Sequence, residues 1–169
     1  MKDITIRNNI FAVNHGMGVL YNVGEAIRIT SPHSNLQIHN NVFYDQKKVF
    51  KIVNDRGGMK LEDMQSTISI RDNIFMNSNY GGGNIIPSRL SAIADMGTNI
   101  FFGNGKSTVG KKVIAKDPLF NNPATFNFTL RKESPAIKQG PDIGAYEFGE
   151  NVPTGTEWWL RGTYVDAYK

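Results

Sequence analysis

Apolar and polar residues alternate in short bursts along this chain, and the same burst keeps returning. Ile4-Thr5-Ile6-Arg7-Asn8-Asn9-Ile10-Phe11 reappears as Leu36-Gln37-Ile38-His39-Asn40-Asn41-Val42-Phe43. It returns again as Ile68-Ser69-Ile70-Arg71-Asp72-Asn73-Ile74-Phe75, then shortened as Thr98-Asn99-Ile100-Phe101. The fixed Asn falls at 9, 41, 73 and 99, at intervals of 32, 32 and 26 residues. Such a period marks a repeat architecture whose units bury their apolar faces on one another. The alternation of Ile4 and Ile6 with Thr5 and Arg7 predicts a short strand with one face buried. The Asn pair predicts a corner, because Asn tolerates left-handed and turn conformations, and the Phe after it points back inside.

Strand, Asn corner and inward Phe describe one edge of a coil that keeps turning the same way. Stacked coils repeat about every 4.8 Å, which places Asn9, Asn41 and Asn73 to form an amide ladder. Ile6, Ile38 and Ile70 then form an inward column beside Phe11, Phe43 and Phe75. The 32-residue shift also carries Val19–Tyr21 onto Lys51–Val53, and Ile27, Arg28 and Ile29 onto Met59, Lys60 and Leu61. That predicts two further edges per coil. One more shift reaches Ser91, Ala92 and Ile93, so Ile85 to Met96 is expected to be an extended edge. Its alternative is a helix with Leu90, Ile93 and Ala94 on one face and Pro87 in the first turn. The expected fold is all-β: a right-handed parallel β-helix, a single-stranded solenoid with three short strands per coil. The first repeat opens abruptly at Ile4, so coils N-terminal to it are expected to be missing.

Composition narrows the partners. At 169 residues, 40% hydrophobic and 20% charged, the chain is long enough for one sizeable core and is neither disordered nor membrane-spanning in character. It has no cysteine, which removes disulfides and thiolate metal sites. A net charge of +4 favours an anionic partner weakly, and the basic residues are spread rather than blocked, which argues against nucleic acid.

After Phe102 the pattern changes to Asp117-Pro118-Leu119-Phe120, Phe126-Asn127-Phe128-Thr129-Leu130, Ser134-Pro135-Ala136-Ile137 and Asp142-Ile143-Gly144-Ala145-Tyr146-Glu147-Phe148. This ordered string resembles the C-terminal closing segment of the right-handed parallel β-helix repeat proteins, the pectate-lyase-like superfamily. With the Asn-Asn-x-Phe repeats, the resemblance covers roughly residues 4–148. It divides the chain into coils and closing segment, 1–148, and an aromatic-rich tail or cap, 149–169, bearing Trp158 and Trp159. It implies the C-terminal part of a secreted or cell-surface protein acting on an acidic polysaccharide, with lyase chemistry ahead of glycoside hydrolysis. The alternative is a non-catalytic, carbohydrate-binding or adhesive stalk of the tailspike type. The matching motifs are structural, so no catalytic residue is carried over.

Candidate chemistry lies at the outward strand positions. Arg7, His39 and Arg71 form one column, Thr5, Gln37 and Ser69 a second, and Asn8, Asn40 and Asp72 flank them. With Arg28 and Lys60, the basic column is the expected substrate-binding set, since guanidinium groups fork onto carboxylates at fixed geometry. The bland alternative is a solvated face whose residues align because the fold aligns everything. Lyases of this fold use a Lys or Arg base and often Ca²⁺; Lys60 or Lys51 suit the first role. Asp45, Asp55, Glu62 and Asp63 are too scattered to support a Ca²⁺ site, so no cofactor is evident and Ca²⁺ stays an open alternative that no ligand cluster backs. Asp72 and Asp95 are the acids placed for a hydrolase. His15, His33 and His39 lack metal-ligand spacing.

Overall fold

A computed structural model describes residues 3–13, 25–29, 35–52, 68–78, 84–104, 112–138 and 140–150. In chain order these hold β1 (Ile4–Arg7), β2 (Ile10–Ala12), β3 (Glu25–Ile29), β4 (Leu36–His39), β5 (Val42–Tyr44), β6 (Lys48–Ile52), β7 (Ile68–Arg71) and β8 (Ile74–Met76). Then come α1 (Ser88–Ile93), β9 (Asp95–Met96), β10 (Thr98–Phe102), β11 (Lys112–Ile114), β12 (Phe120–Asn122) and β13 (Asn127–Leu130). The chain is all-β in character, and its repeats form parallel sheets. One sheet has the order β1-β4-β7-β9, and a second β11-β10-β8-β5-β2. Ile6 lies beside Ile38 and Ile38 beside Ile70; Phe11 lies beside Phe43 and Phe43 beside Phe75. The 32-residue period is therefore the strand register itself.

The corner residues divide their tasks. Asn8, Asn40 and Asp72 take the left-handed turn, with φ of 56°, 52° and 55°. Such φ values favour Asn and Asp among non-glycine residues. The next residue turns its amide inward. Asn9 Nδ2 donates to Asn41 Oδ1 at 3.2 Å, Asn41 Nδ2 to Asn73 Oδ1 at 3.0 Å, and Asn73 Nδ2 to Asn99 Oδ1 at 3.1 Å. The expected ladder is formed, and Asn99 extends it. A second polar ladder, which the sequence did not announce, lies one strand further on. Gln46 N–H donates to Ser78 Oγ, and Ser78 N–H to Asn104 Oδ1. Its residue types vary, so only the spacing could have disclosed it.

The core has two compartments. Inside, Leu36, Ile38, Ile68 and Ile70 meet Phe43, Phe75 and Phe101, joined by Ile27, Ile29, Val49 and Phe50 of β3 and β6. The Phe rings stack at centroid distances of 4.9, 5.0 and 4.8 Å along Phe11–Phe43–Phe75–Phe101. On the opposite face of the second sheet, Val42, Ile74, Met76 and Ile100 are covered by Phe120, Phe128, Leu130, Ala136, Ile143 and Ala145. The closing segment is thus a lid over a sheet buried on both faces. Gly144 shows how close the lid comes: at φ +102° a Cβ there would lie 2.8 Å from Ile74 Cδ1.

Two expectations are corrected. Ile27, Arg28 and Ile29 pair with Phe50, Lys51 and Ile52, not with the segment Met59–Leu61, which lies outside the described residues. The constant period hides unequal sequence separations between the described strands. Residues 13–24 separate β2 from β3 but only 45–47 separate β5 from β6, while 30–35 precede β4 and 53–67 precede β7. The second correction is α1, which replaces the extended edge at Ser88–Ile93 and buries Leu90 completely. Pro87 favours this outcome, because it offers no N–H to a strand ladder while its carbonyl accepts from Leu90 and Ser91.

Candidate functional site

The outward residues of β1, β4 and β7 form the expected columns. Thr5, Gln37, Ser69 and Asp95 lie in register, and Arg7, His39 and Arg71 do likewise. Arg7 and Arg71 are exposed and His39 half-buried, whereas Leu36, Ile38, Ile68 and Ile70 between them are buried. The alternation that built the strand therefore also separates charge from core. The column ends beyond Arg71 because Gly97 follows. A Cβ at Gly97 would sit 2.4 Å from Arg71 Cβ, so no side chain fits there.

The three basic residues differ in their surroundings. Arg7 has no hydrogen-bond or ion-pair partner for its guanidinium among the described residues. His39 Nδ1 lies 2.8 Å from Asn40 Oδ1, while Asn40 Nδ2 donates to the Asp142 carbonyl at 2.6 Å. That second bond fixes the Asn40 amide with its oxygen toward the ring, which makes Nδ1 the protonated nitrogen. Arg71 pairs with Asp72 at 3.0 Å, and Asp72 is shared with Lys138 of the closing segment. Lys138 had no signal in the sequence, since it stands 66 residues from Asp72.

Arg28 is placed in a separate cluster on β3 and β6. Glu25 accepts from Arg28 at 3.0 Å and pairs with Lys51 at 3.4 Å; its side chain is 3% exposed. Burial pushes against the Glu25 charge, but hydrogen bonds from Arg28 and Lys51 outweigh it and hold the carboxyl below its ordinary value of 4.5. A depressed folded-state value stabilises the fold above the ordinary value, and that contribution is lost as pH falls through the lowered one. Glu25→Gln should therefore lack this acid-sensitive part of the stability. Urea midpoints across acid pH test it: curves for Glu25→Gln and the unaltered protein that run parallel would rule the ion cluster out as the cause. The expected partner of Arg28, Lys60, lies outside the described residues, as do His15, His33, Asp55, Glu62, Asp63 and the tail from Asn151.

No protein-family model, curated protein or solved structure matches the chain. Among the described residues, no three His, Asp or Glu side chains come together as a metal site. No described helix is long and apolar enough to cross a membrane. Of the two acids considered for hydrolysis, Asp95 is exposed beside Ser69, and Asp72 is held by two cations. What the face offers chemically is a polar sheet surface with guanidinium and imidazole groups on neighbouring strands.

Proposed function

We propose that the chain is a stack of right-handed parallel β-helix coils, the C-terminal part of a β-helix repeat protein, and that its β1-β4-β7-β9 face binds an acidic polysaccharide. The observation that carries this is the in-register column Arg7–His39–Arg71 on a parallel sheet. Strands about 4.8 Å apart offer cationic groups at a spacing that a chain of carboxylated sugars can span. The 32-residue register, the Asn ladder and the Phe stack support the coil geometry. A secreted or cell-surface setting goes with a polysaccharide ligand.

Binding stands ahead of lyase chemistry in this proposal, because Lys51, one of the two lysines suited to act as base, is already paired with Glu25. A lyase would take Lys60 as base.

An oligouronate should bind weakly in calorimetry, with affinity falling as salt rises, because exposed charges are screened over about 8 Å at physiological ionic strength. Arg7→Ala should weaken binding several-fold, and Lys132→Ala, outside the sheet, should not. Equal loss from both variants would reduce the effect to net charge, and equal binding of a neutral oligosaccharide would sink the acidic-ligand proposal.

A further inference from the structure

We propose that Asp72 is a specificity-determining residue of this face: it sequesters Arg71 and Lys138, so that only a densely anionic glycan displaces it. The inference rests on the glycan-binding proposal above. Its starting point is a departure from the repeat. The corner position carries an amide at Asn8 and Asn40 but a carboxylate at Asp72, although the backbone φ is 56°, 52° and 55°. The turn therefore does not require the charge.

What the charge does is local. The Asp72 side chain is 16% exposed and lies between Arg71, 45% exposed, and Lys138, 33% exposed. Lys138 is delivered there by a well-anchored segment. Its own N–H donates to Asp142 Oδ1 at 2.8 Å, Gly144 N–H donates to the Asp72 carbonyl at 3.0 Å, and Asn40 holds the Asp142 carbonyl. Two cations thus converge on one carboxylate, at the end of the column that Gly97 leaves bare. An incoming uronate must exchange with Asp72 for both, and it feels the repulsion of that carboxylate as it approaches. A sparsely charged chain gains too little from the exchange; a run of adjacent carboxylates gains Arg7 and His39 as well.

Asp72→Asn installs the residue that the two preceding repeats already use, at a φ that Asn accepts, so the corner should fold unchanged. The variant should bind an oligouronate about three- to five-fold more tightly, on the scale of one partly exposed charge pair. Glu133→Gln makes the same charge change outside the sheet and should leave affinity within about two-fold. Acylation of Lys138 by an amine-reactive ester, read by mass spectrometry against the exposed Lys132, supplies a measure that needs no ligand. It should rise in Asp72→Asn, and an unchanged rate overturns the sequestration. Binding of oligouronate by the unaltered protein with Asp72→Asn no tighter overturns this inference while leaving the glycan proposal standing. Binding by neither overturns both, reducing the triad to a structural ion pair.

Discussion

Replacing Asn73 with alanine is expected to lower stability by about 3–5 kcal/mol, close to the whole margin of many small domains. Asn73 is fully buried and acts in both directions along the stack. Its Nδ2 donates to the Ile38 carbonyl at 2.9 Å, the Arg71 carbonyl at 2.8 Å and Asn99 Oδ1 at 3.1 Å. Its Oδ1 accepts from the Asn41 backbone N–H at 3.1 Å and from Asn41 Nδ2 at 3.0 Å. Alanine would leave the Ile38 and Arg71 carbonyls and the Asn41 backbone N–H short of a partner. The Asn41 amide keeps the Ile6 and His39 carbonyls, and Asn99 Oδ1 keeps the backbone N–H of residue 73. Each buried group left unpaired costs about 1–3 kcal/mol, partly recovered by relaxation. Asn9 makes an informative contrast because it is exposed, so Asn9→Ala should cost less than about 1 kcal/mol. Urea unfolding of both variants decides the matter. If the two losses are equal and small, the ladder is a consequence of stacking and contributes little to it.

Phe75→Ala should cost a similar amount by a different route, about 3–5 kcal/mol. Its ring is fully buried between Phe43 and Phe101, at 5.0 and 4.8 Å, nearly parallel to both. Removing it takes away apolar burial and two stacking partners, and opens a cavity that two flanking rings fixed on their own strands cannot fill. Phe148, 49% exposed, provides the reference: Phe148→Ala should change stability by no more than about 0.5 kcal/mol. Urea midpoints that shift equally for the two variants would show that the stack is loosely packed. A Phe75→Leu variant should recover part of the loss, since it restores volume without the ring faces.

The repeated strand, the left-handed corner, the inward Asn and the stacked Phe were all legible in the sequence, down to the residue pairs. The physical reason is that a parallel stack places equivalent residues above one another. A fixed chain period then becomes a spatial register, and alternation states which face is buried. Val42, Ile74 and Ile100 carried a subtler signal: an apolar residue beside each inward Phe is the run expected of a strand buried on both faces.

Only the tertiary structure decided the rest. The pairing of β3 with β6 escaped because unequal separations between strands compensate within one constant period, and period fixes a repeat's total length but not the position of strands inside it. The helix at Ser88–Ile93 was the second of two readings of Ile85 to Met96, and it prevailed because local preference at Pro87 overrode a register that three residues suggested. Lys138 reaches Asp72, and Asn40 reaches Asp142, across 66 and 102 residues. Such contacts follow from where the closing segment docks, which no local pattern encodes. Sequence alone therefore determined the strands, their corners and the column of outward cations. Folding determined which of those cations are already paired, because charge compensation depends on distance in space.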